Sequence, residues 1–255
     1  MKNQHFHFLL LLAGSLLLAS CKPAYQVASI DRSRILVDQR YDTQPDATAA
    51  QFIAPYKHVV DSIMSPVVGR TAQFLDKDRP ESLLSNVLTD ILVWGSARFG
   101  EHPDFAVYNM GGMRAAFAKG ETTYGDVVEV APFENKICFL TLSGEQTLEL
   151  FRQIAHRGGE GLSHSVRMVI TRDGQLLSVS VGGEPVTPDR TYRVVTLDYL
   201  AQGNDGLTAF KTGTDVVSPQ AEENNVRYII MDYFRAEAAA GRAVDAQLEG
   251  RCVVK

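Results

Sequence analysis

Apolar residues at helical spacing predict several helices along the chain. The clearest begins near Leu83, where six apolar residues recur on one face. Pro80 and Glu81 stand just before it, at positions that helix starts favour. The same spacing predicts further helical segments over 47–64, 124–129, 145–156 and 224–240.

Short apolar or alternating segments lie between these helices and predict strands. They cover residues 67–75, 105–108, 136–142, 166–171, 176–181 and 192–196. Asp173-Gly174 and Gly182-Gly183 separate the last three segments, and such pairs are typical of hairpin turns. Because the strands are joined both by helices and by hairpins, we expect one α+β domain with a mixed β-sheet packed by helices.

The N-terminus has the pattern of an export signal. Lys2 precedes an apolar run from Phe8 to Ala19 that is too short to span a bilayer as a permanent helix. Leu18-Ala19-Ser20-Cys21 resembles a bacterial lipobox, in which cleavage occurs before the cysteine that then receives lipid. The alternative is an ordinary secretory signal with an incidental cysteine.

Interpreting this motif as a lipobox divides the chain into three parts. We expect a lipoprotein signal peptide over 1–20, a linker from the lipid anchor over 21–46 and a folded domain over 47–255. Lipid on Cys21 would hold this domain at a bacterial membrane, outside the cytoplasm, on the outer membrane or facing the periplasm.

Charge and composition exclude a nucleic-acid partner. Loss of Lys2 with the first 20 residues changes the formal net charge from −5 to −6, and the remaining Lys and Arg residues form no basic run. Cys138 and Cys252 leave two outcomes open. A disulfide is chemically possible outside the cytoplasm, but the apolar run around Cys138 favours a buried free thiol.

Two glycine-containing stretches stand at the ends of apolar, strand-like runs. They are Asn109-Met-Gly-Gly-Met-Arg114 and Tyr199-Leu-Ala-Gln-Gly-Asn-Asp-Gly206. Glycine lets a backbone approach a ligand closely, and a fixed Arg and a fixed Asp on such turns suit a polar binding site. Taken singly, each stretch is equally well an ordinary turn or polar loop.

The order of these motifs resembles the nucleotide-recognition domain that forms the C-terminal half of the 5'-nucleotidases. The resemblance covers about residues 50–215 and is carried by Glu81-Ser82, Asn109 to Arg114, Pro132-Phe133-Glu134-Asn135, Thr191-Tyr192-Arg193-Val194 and Tyr199 to Gly206. The chain departs from the family pattern at Leu83-Leu84-Ser85 and at His164-Ser165-Val166-Arg167. It also has Tyr199 where phenylalanine is common.

The resemblance implies roles for the aromatic and acidic residues. Phe133 and Tyr199 would sandwich the base of a nucleotide or nucleoside, and Asp205 would accept hydrogen bonds from the ribose hydroxyls. The alternative for each aromatic residue, taken alone, is a place in the core.

The resemblance also implies roles for the surrounding polar residues. Arg114 would lie near the ribose or phosphate, while Asn109 and Asn135 would hydrogen-bond the ribose and base edges. Gly111 would allow close backbone approach, and Arg79 falls near a family arginine with its register shifted by about one residue.

The family's hydrolytic half binds two metals through Asp-x-His, Gly-Asn-His-Asp/Glu and Gly-His-x-His motifs, and this sequence contains none of them. The resemblance therefore implies no catalytic or metal-binding residue and no cofactor in this chain. Divalent metals would belong to a separate metallophosphatase acting in trans, and this chain would not hydrolyse phosphate esters alone. The alternatives are a non-enzymatic nucleoside-binding or scaffold lipoprotein, or a degenerate domain that keeps only the fold.

Overall fold

The computed structural model describes residues 27–41 and 46–255. The predicted signal peptide and Cys21 lie outside the described residues. The α-helices of the described residues are α1 (Ala47–Met64), α2 (Leu83–Ser96), α3 (Tyr124–Val130), α4 (Gly144–His156), α5 (Asp198–Ala201) and α6 (Val226–Ala239). Its strands are β1 (Val67–Thr71), β2 (Phe105–Tyr108), β3 (Gly120–Thr123), β4 (Ile137–Ser143), β5 (Gly161–Leu162), β6 (Val166–Ile170), β7 (Leu176–Val181), β8 (Glu184–Pro185), β9 (Thr191–Leu197), β10 (Thr214–Val217) and β11 (Cys252–Val254).

The chain divides into two compact units, residues up to Phe52 and Ile53–Lys255. In the described part of the first unit, residues 39–41 form a short 3-10 helix and no residue of this turn is buried. The second unit contains every β-strand of the described ranges. The predicted division of the chain into a signal peptide (1–20), a linker (21–46) and a folded domain (47–255) stays a prediction.

A five-stranded sheet in the order β10-β4-β9-β2-β5 forms the centre of the second unit. Strand β9 pairs antiparallel with β4 along its whole length and parallel with β2, so the predicted mixed sheet is confirmed. Strands β6, β7 and β8 form consecutive antiparallel pairs in a second sheet, and the β6–β7 pair confirms the first predicted hairpin. Gly182-Gly183 does turn the chain, but it pairs β7 with the two-residue β8, while the strand predicted over 192–196 is β9 of the five-stranded sheet. Strand β11 adds to β6 in parallel, and β1 pairs with β3 in a third, two-stranded sheet.

Side-chain caps set where three of the helices begin. Ser82 and Ser85 form a capping box at α2, Thr123 and Asp126 form one at α3, and Ser143 and Gln146 form one at α4. Each box satisfies backbone N–H groups that the first helical turn leaves without partners. The predicted helix signal at Pro80 and Glu81 therefore lies ahead of the cap.

The apolar stripe of α2 packs into the core beneath β2. Leu84, Leu88, Ile91 and Leu92 of this stripe are fully buried, as are all four residues of β2. The rings of Phe105 in β2 and Phe151 in α4 lie 5.3 Å apart between centroids. Side chains of α2 and α4 thus pack with β2 in the core.

The parallel pairing of β2 with β9 positions the two glycine motifs. Phe105 is in register with Val194, so both strands run toward the same edge of the sheet. Asn109 follows the end of β2, and α5 follows the end of β9. Two stretches about ninety residues apart are thus brought together by one strand pair.

Three details qualify the sequence interpretation. The strand predicted over 67–75 ends at Thr71, because the chain beyond it leaves β3. The Ala72 N–H then donates to the Val244 carbonyl, and Leu75 forms an isolated bridge with Phe117. Cys138 and Cys252 are both buried free thiols. Within residues 27–41 and 46–255, no helix has both the length and the apolar character that a membrane span needs.

Candidate functional site

The Asn109 turn provides one wall of the site. Asn109 follows the buried strand β2, and its side-chain Nδ2 donates a hydrogen bond of 2.6 Å to Oδ2 of Asp205. Its Oδ1 is buried and has no hydrogen-bond partner in the part of the chain that the structure describes. The turn continues as a single 3-10 turn over Met110–Gly112 and brings Arg114 to the surface.

The opposite wall is the loop that contains α5 and Asp205. Gly203 has a φ of 77°, and Asp205 itself has a φ of 54°, in the left-handed region that few non-glycine residues adopt. Asp tolerates this region better than most residues. The Tyr199 hydroxyl donates a 3.0 Å hydrogen bond to Oδ1 of Asp205, so the carboxylate is held from two sides.

A cavity of about 350 Å³ opens between these walls. It is lined by Asn109, Gly111, Gly112, Arg114, Phe133, Asn135, Tyr199 and Asp205. The structure thus brings together seven of the eight residues predicted to contact a ligand. Their roles in binding stay predictions.

The two aromatic residues are surface residues of the cavity. Phe133 is 48% exposed and Tyr199 is 38% exposed, whereas core rings such as Phe105 and Phe151 are fully buried. The alternative that they are core aromatics does not hold. Both side chains are thus accessible from the cavity.

Arg79 is the predicted residue that lies outside this cavity. It lines an adjacent cleft of about 320 Å³ with Lys77 and Gly111, and Gly111 also lines the first cavity. The Arg79 guanidinium donates to the Gly159 carbonyl and, at 3.0 Å, to Oε1 of Glu160. The Arg79 guanidinium is therefore already paired with the buried Glu160 at the edge of the site.

Sequence reasoning missed Glu160, which is 1% exposed. Its Oε1 accepts from Arg79 and, at 2.6 Å, from Nε of Arg157, and its Oε2 accepts from the Met110 backbone N–H at 2.5 Å. Buried carboxylates occur in folded proteins when they are paired in this way. The available signal was the spacing Arg157-Gly-Gly-Glu160, which places an opposite charge within reach across a turn.

Arg157 connects Glu160 to the cavity. One guanidinium nitrogen, Nη2, lies 3.8 Å from Oδ2 of Asp205 while Nε binds Glu160. Glu160 thus joins the Met110 amide to Arg157, and Arg157 in turn lies next to Asp205, so the four groups form one polar network under the cavity wall. This network fixes the Asn109 turn relative to the Asp205 loop.

Hydrogen bonding also affects titration in the cavity. The hydrogen bond to Asp205 raises the pKa of Tyr199, since the carboxylate favours the protonated phenol. The Tyr199 hydroxyl therefore remains a donor at neutral pH. Among the residues that the structure describes, no group of three or more His, Cys, Asp or Glu side chains is placed to hold a metal ion.

The sequence profile of the 5'-nucleotidase C-terminal domain matches residues 67–212, which include both walls of the cavity. The chain belongs to the 5'-nucleotidase C-terminal domain family. The predicted resemblance is therefore confirmed at the level of the family.

Relatives of this 5'-nucleotidase C-terminal domain include longer proteins. The cell wall protein Lmo0130 of Listeria monocytogenes is 31% identical over 70% of this chain and 24% of its own length. Protein UshA of Escherichia coli is 28% identical over 60% of this chain and 28% of its own length. This chain thus spans about a quarter of the length of these two curated relatives.

A solved structure shares the fold. The 5'-nucleotidase precursor from Thermus thermophilus superposes with a TM-score of 0.70 at 28% identity, over 84% of this chain and 44% of that one. The α+β fold predicted from the sequence is therefore confirmed for this family member.

Proposed function

We propose that the cavity binds the nucleoside part of a nucleotide. The observation that carries this proposal is the pair of exposed aromatic side chains, Phe133 and Tyr199, on the same cavity as the Asp205 carboxylate. Stacking on an aromatic face is worth about 1–3 kcal/mol per base, and a carboxylate is a strong acceptor for sugar hydroxyls. The cavity volume of about 350 Å³ falls within the range of small-molecule sites.

Arg114 is the cation available for the phosphate or ribose. In the described ranges its guanidinium makes no hydrogen bond or ion pair, whereas Arg79 and Arg157 both bind Glu160. A planar guanidinium suits a phosphate because two N–H groups can donate to two oxygens. The proposal therefore gives Arg114 the phosphate end of the ligand and leaves Arg79 a supporting position.

We further propose that hydrolysis of the phosphate ester is supplied in trans by a metallophosphatase chain. The dimetal motifs of the family's hydrolytic half do not occur in this sequence. The chain also aligns with only about a quarter of the length of the Listeria and Escherichia relatives. Two metal ions in that partner would activate water and stabilise the phosphoryl oxygens. This chain would contribute recognition of the nucleoside, in extracytoplasmic nucleotide catabolism.

The proposed place of action is based on the N-terminal pattern. We propose that lipid on Cys21 holds the domain at a bacterial membrane outside the cytoplasm. The description of the Listeria relative as a cell wall protein supports a site of action beyond the cytoplasm.

Calorimetric titration of adenosine, AMP and ribose 5-phosphate into the purified full chain tests the proposal. Adenosine and AMP should bind, while ribose 5-phosphate, which lacks a base to stack, should bind at least about tenfold more weakly. The same preparation should release no phosphate from AMP. Phosphate release by the chain alone would contradict the division of labour. Tight nucleoside binding by a chain with which no metallophosphatase co-purifies would favour the scaffold alternative.

A further inference from the structure

One carboxylate oxygen joins the two segments that carry the exposed aromatic side chains of the cavity. Oδ1 of Asp198 accepts the Tyr199 N–H at 2.8 Å and the Lys136 N–H at 3.0 Å. The Asp198 N–H in turn donates to the Lys136 carbonyl at 2.9 Å. Because Lys136 lies three residues after Phe133, Asp198 links the Phe133 segment (residues 132–136) to the start of α5.

The Phe133 segment connects α3 to β4, and hydrogen bonds from α6 hold its ends. The Pro132 carbonyl accepts from Nη2 of Arg227 at 2.8 Å. The Asn135 carbonyl accepts from the Val226 N–H at 2.9 Å. Within the described ranges, the backbone of Phe133 itself makes no hydrogen bond. The place of its side chain therefore depends on the hydrogen bonds that hold the ends of the segment.

Asp198 differs from the other contacts of the segment in what it joins. The hydrogen bonds from α6 fix the Phe133 segment against that helix, whereas Asp198 fixes it against Tyr199. Tyr199 is also held within its own loop, because its carbonyl accepts from Nδ2 of Asn204 at 2.8 Å. Loss of the Asp198 carboxylate would thus loosen the Phe133 segment while Tyr199 stays in place.

We propose that Asp198 is a positioning residue of the cavity, which holds Phe133 in place relative to Tyr199 before a base arrives. This inference rests on the proposed nucleoside-binding function and adds the residue that preorganises its two aromatic side chains. Side chains that are ordered before binding cost less free energy to immobilise when the ligand binds. Asp198 does not itself line the cavity, so it acts through these two residues.

Calorimetric titration of adenosine into the full chain, Asp198→Ala and Asp198→Asn tests this inference. Asp198→Ala removes the acceptor and should lower adenosine affinity about tenfold, the equivalent of ordering one or two side chains on binding. Asp198→Asn keeps an acceptor at Oδ1. Since Oδ2 accepts no hydrogen bond in the described part of the chain, the amide nitrogen displaces no donor there. This variant should restore the affinity to within about threefold of the wild-type chain.

A double-mutant cycle with Phe133→Ala separates positioning from a general loss of structure. If Asp198 acts by placing Phe133, Asp198→Ala should weaken adenosine binding by no more than about twofold once position 133 is already alanine. Asp198→Glu, which moves the carboxylate by one methylene, is a second disrupting variant and should match Asp198→Ala. Chemical denaturation establishes that each titrated variant is folded.

Asp245→Ala is the matched control. Oδ1 of Asp245 also accepts from the next residue, the Ala246 N–H at 2.9 Å, and from a distant one, Nε2 of Gln73 at 2.6 Å. None of these three residues lines the cavity, so the variant should keep the wild-type affinity for adenosine.

The outcomes separate the two proposals. Wild-type affinity in folded Asp198→Ala or Asp198→Glu, or an undiminished tenfold loss in the Phe133→Ala background, would overturn the role of Asp198 while leaving nucleoside binding intact. Asp198→Asn that binds as weakly as Asp198→Ala would do the same. A folded wild-type chain that does not bind adenosine would overturn the proposed function and this inference together.

Discussion

Asn109 and Asp205, 96 residues apart in the chain, are joined by a hydrogen bond of 2.6 Å. The bond links the turn after β2 to the loop after β9, and it orients the carboxylate that faces the cavity. Because Asn109 is buried and its Nδ2 donates to a charged acceptor, this bond is of the stronger kind. The shape of the site depends on it.

The two glycines after Met110 should tolerate alanine very differently. A Cβ at Gly112 would lie 2.6 Å from Oδ1 of Asn109, and the buried Tyr108 ring stands 3.1 Å away. A Cβ at Gly111 would meet its nearest atom, Oδ2 of Asp205, at an ordinary 3.5 Å. We expect Gly112→Ala to lower the free energy of unfolding by about 1–3 kcal/mol, because neither buried neighbour can move freely.

Chemical denaturation measures this difference, with Gly111→Ala as the matched control. The control should change the free energy of unfolding by no more than about 0.5 kcal/mol. Equal stability of the two variants would contradict the packing described around Asn109.

Glu160 should contribute to stability far more than an exposed glutamate. Its carboxylate binds Arg79, Arg157 and the Met110 amide while fully buried. Glu160→Gln should reduce the free energy of unfolding by about 3 kcal/mol, the low end for breaking a buried ion pair, because both arginines reach solvent.

The control for this measurement is Glu149→Gln. Glu149 pairs with Arg152 at 3.3 Å on the exposed face of α4, where an ion pair is worth about 0.5 kcal/mol. Equal shifts of the denaturation midpoint in the two variants would show that the buried Glu160 ion pairs contribute no more to stability than an exposed ion pair.

Arg114→Ala should separate the phosphate from the nucleoside. Since the guanidinium of Arg114 lines the cavity and has no partner among the described residues, it is free to meet an anionic group. AMP affinity should fall about tenfold, whereas adenosine affinity should stay within about twofold. Arg152→Ala, on the exposed face of α4, is the control. Calorimetry that finds both ligands weakened equally would place Arg114 on the nucleoside instead.

The two buried cysteines should resist alkylation in the folded protein. Burial raises the pKa of Cys138 to about 11 and that of Cys252 to about 12. A raised thiol pKa lowers the thiolate fraction at pH 8, by about a hundredfold or more here, and the thiolate is the reactive form. Peptide mass spectrometry after iodoacetamide treatment at pH 8 should find both residues unlabelled in native protein and labelled after denaturation. Rapid labelling of either residue in native protein would contradict its burial.

Helices and hairpins were predictable because their signals are local. The apolar stripe of α2 and the Asp173-Gly174 and Gly182-Gly183 turns flanking β7 act over a few residues, and the structure has the helix and both turns. Strand β11 carries no such signal: it is three residues long and forms only by pairing with β6, more than eighty residues earlier. Short strands of this kind are stabilised by tertiary contacts rather than by their own sequence.

The site was predictable to the extent that its residues stand in motifs. Asn109 and Asp205 lie in glycine-containing turns after apolar strands, and the parallel pairing of those strands brings them together. The burial of Glu160 was harder to predict, because only one of its two arginine partners, Arg157, is close in sequence, and the other, Arg79, lies 81 residues away. Position in a turn normally indicates an exposed glutamate, and here the tertiary ion pair reverses that expectation.

The proposed stacking of a base on Phe133 and Tyr199 is tested by calorimetric titration of adenosine into the full chain and into Phe133→Ala. Phe74→Ala serves as the control, because Phe74 is also exposed but does not line the cavity. Adenosine should bind the wild-type chain and Phe74→Ala equally, and Phe133→Ala should lose at least about tenfold in affinity. Unchanged binding by Phe133→Ala, or no binding by the folded wild-type chain, would contradict it.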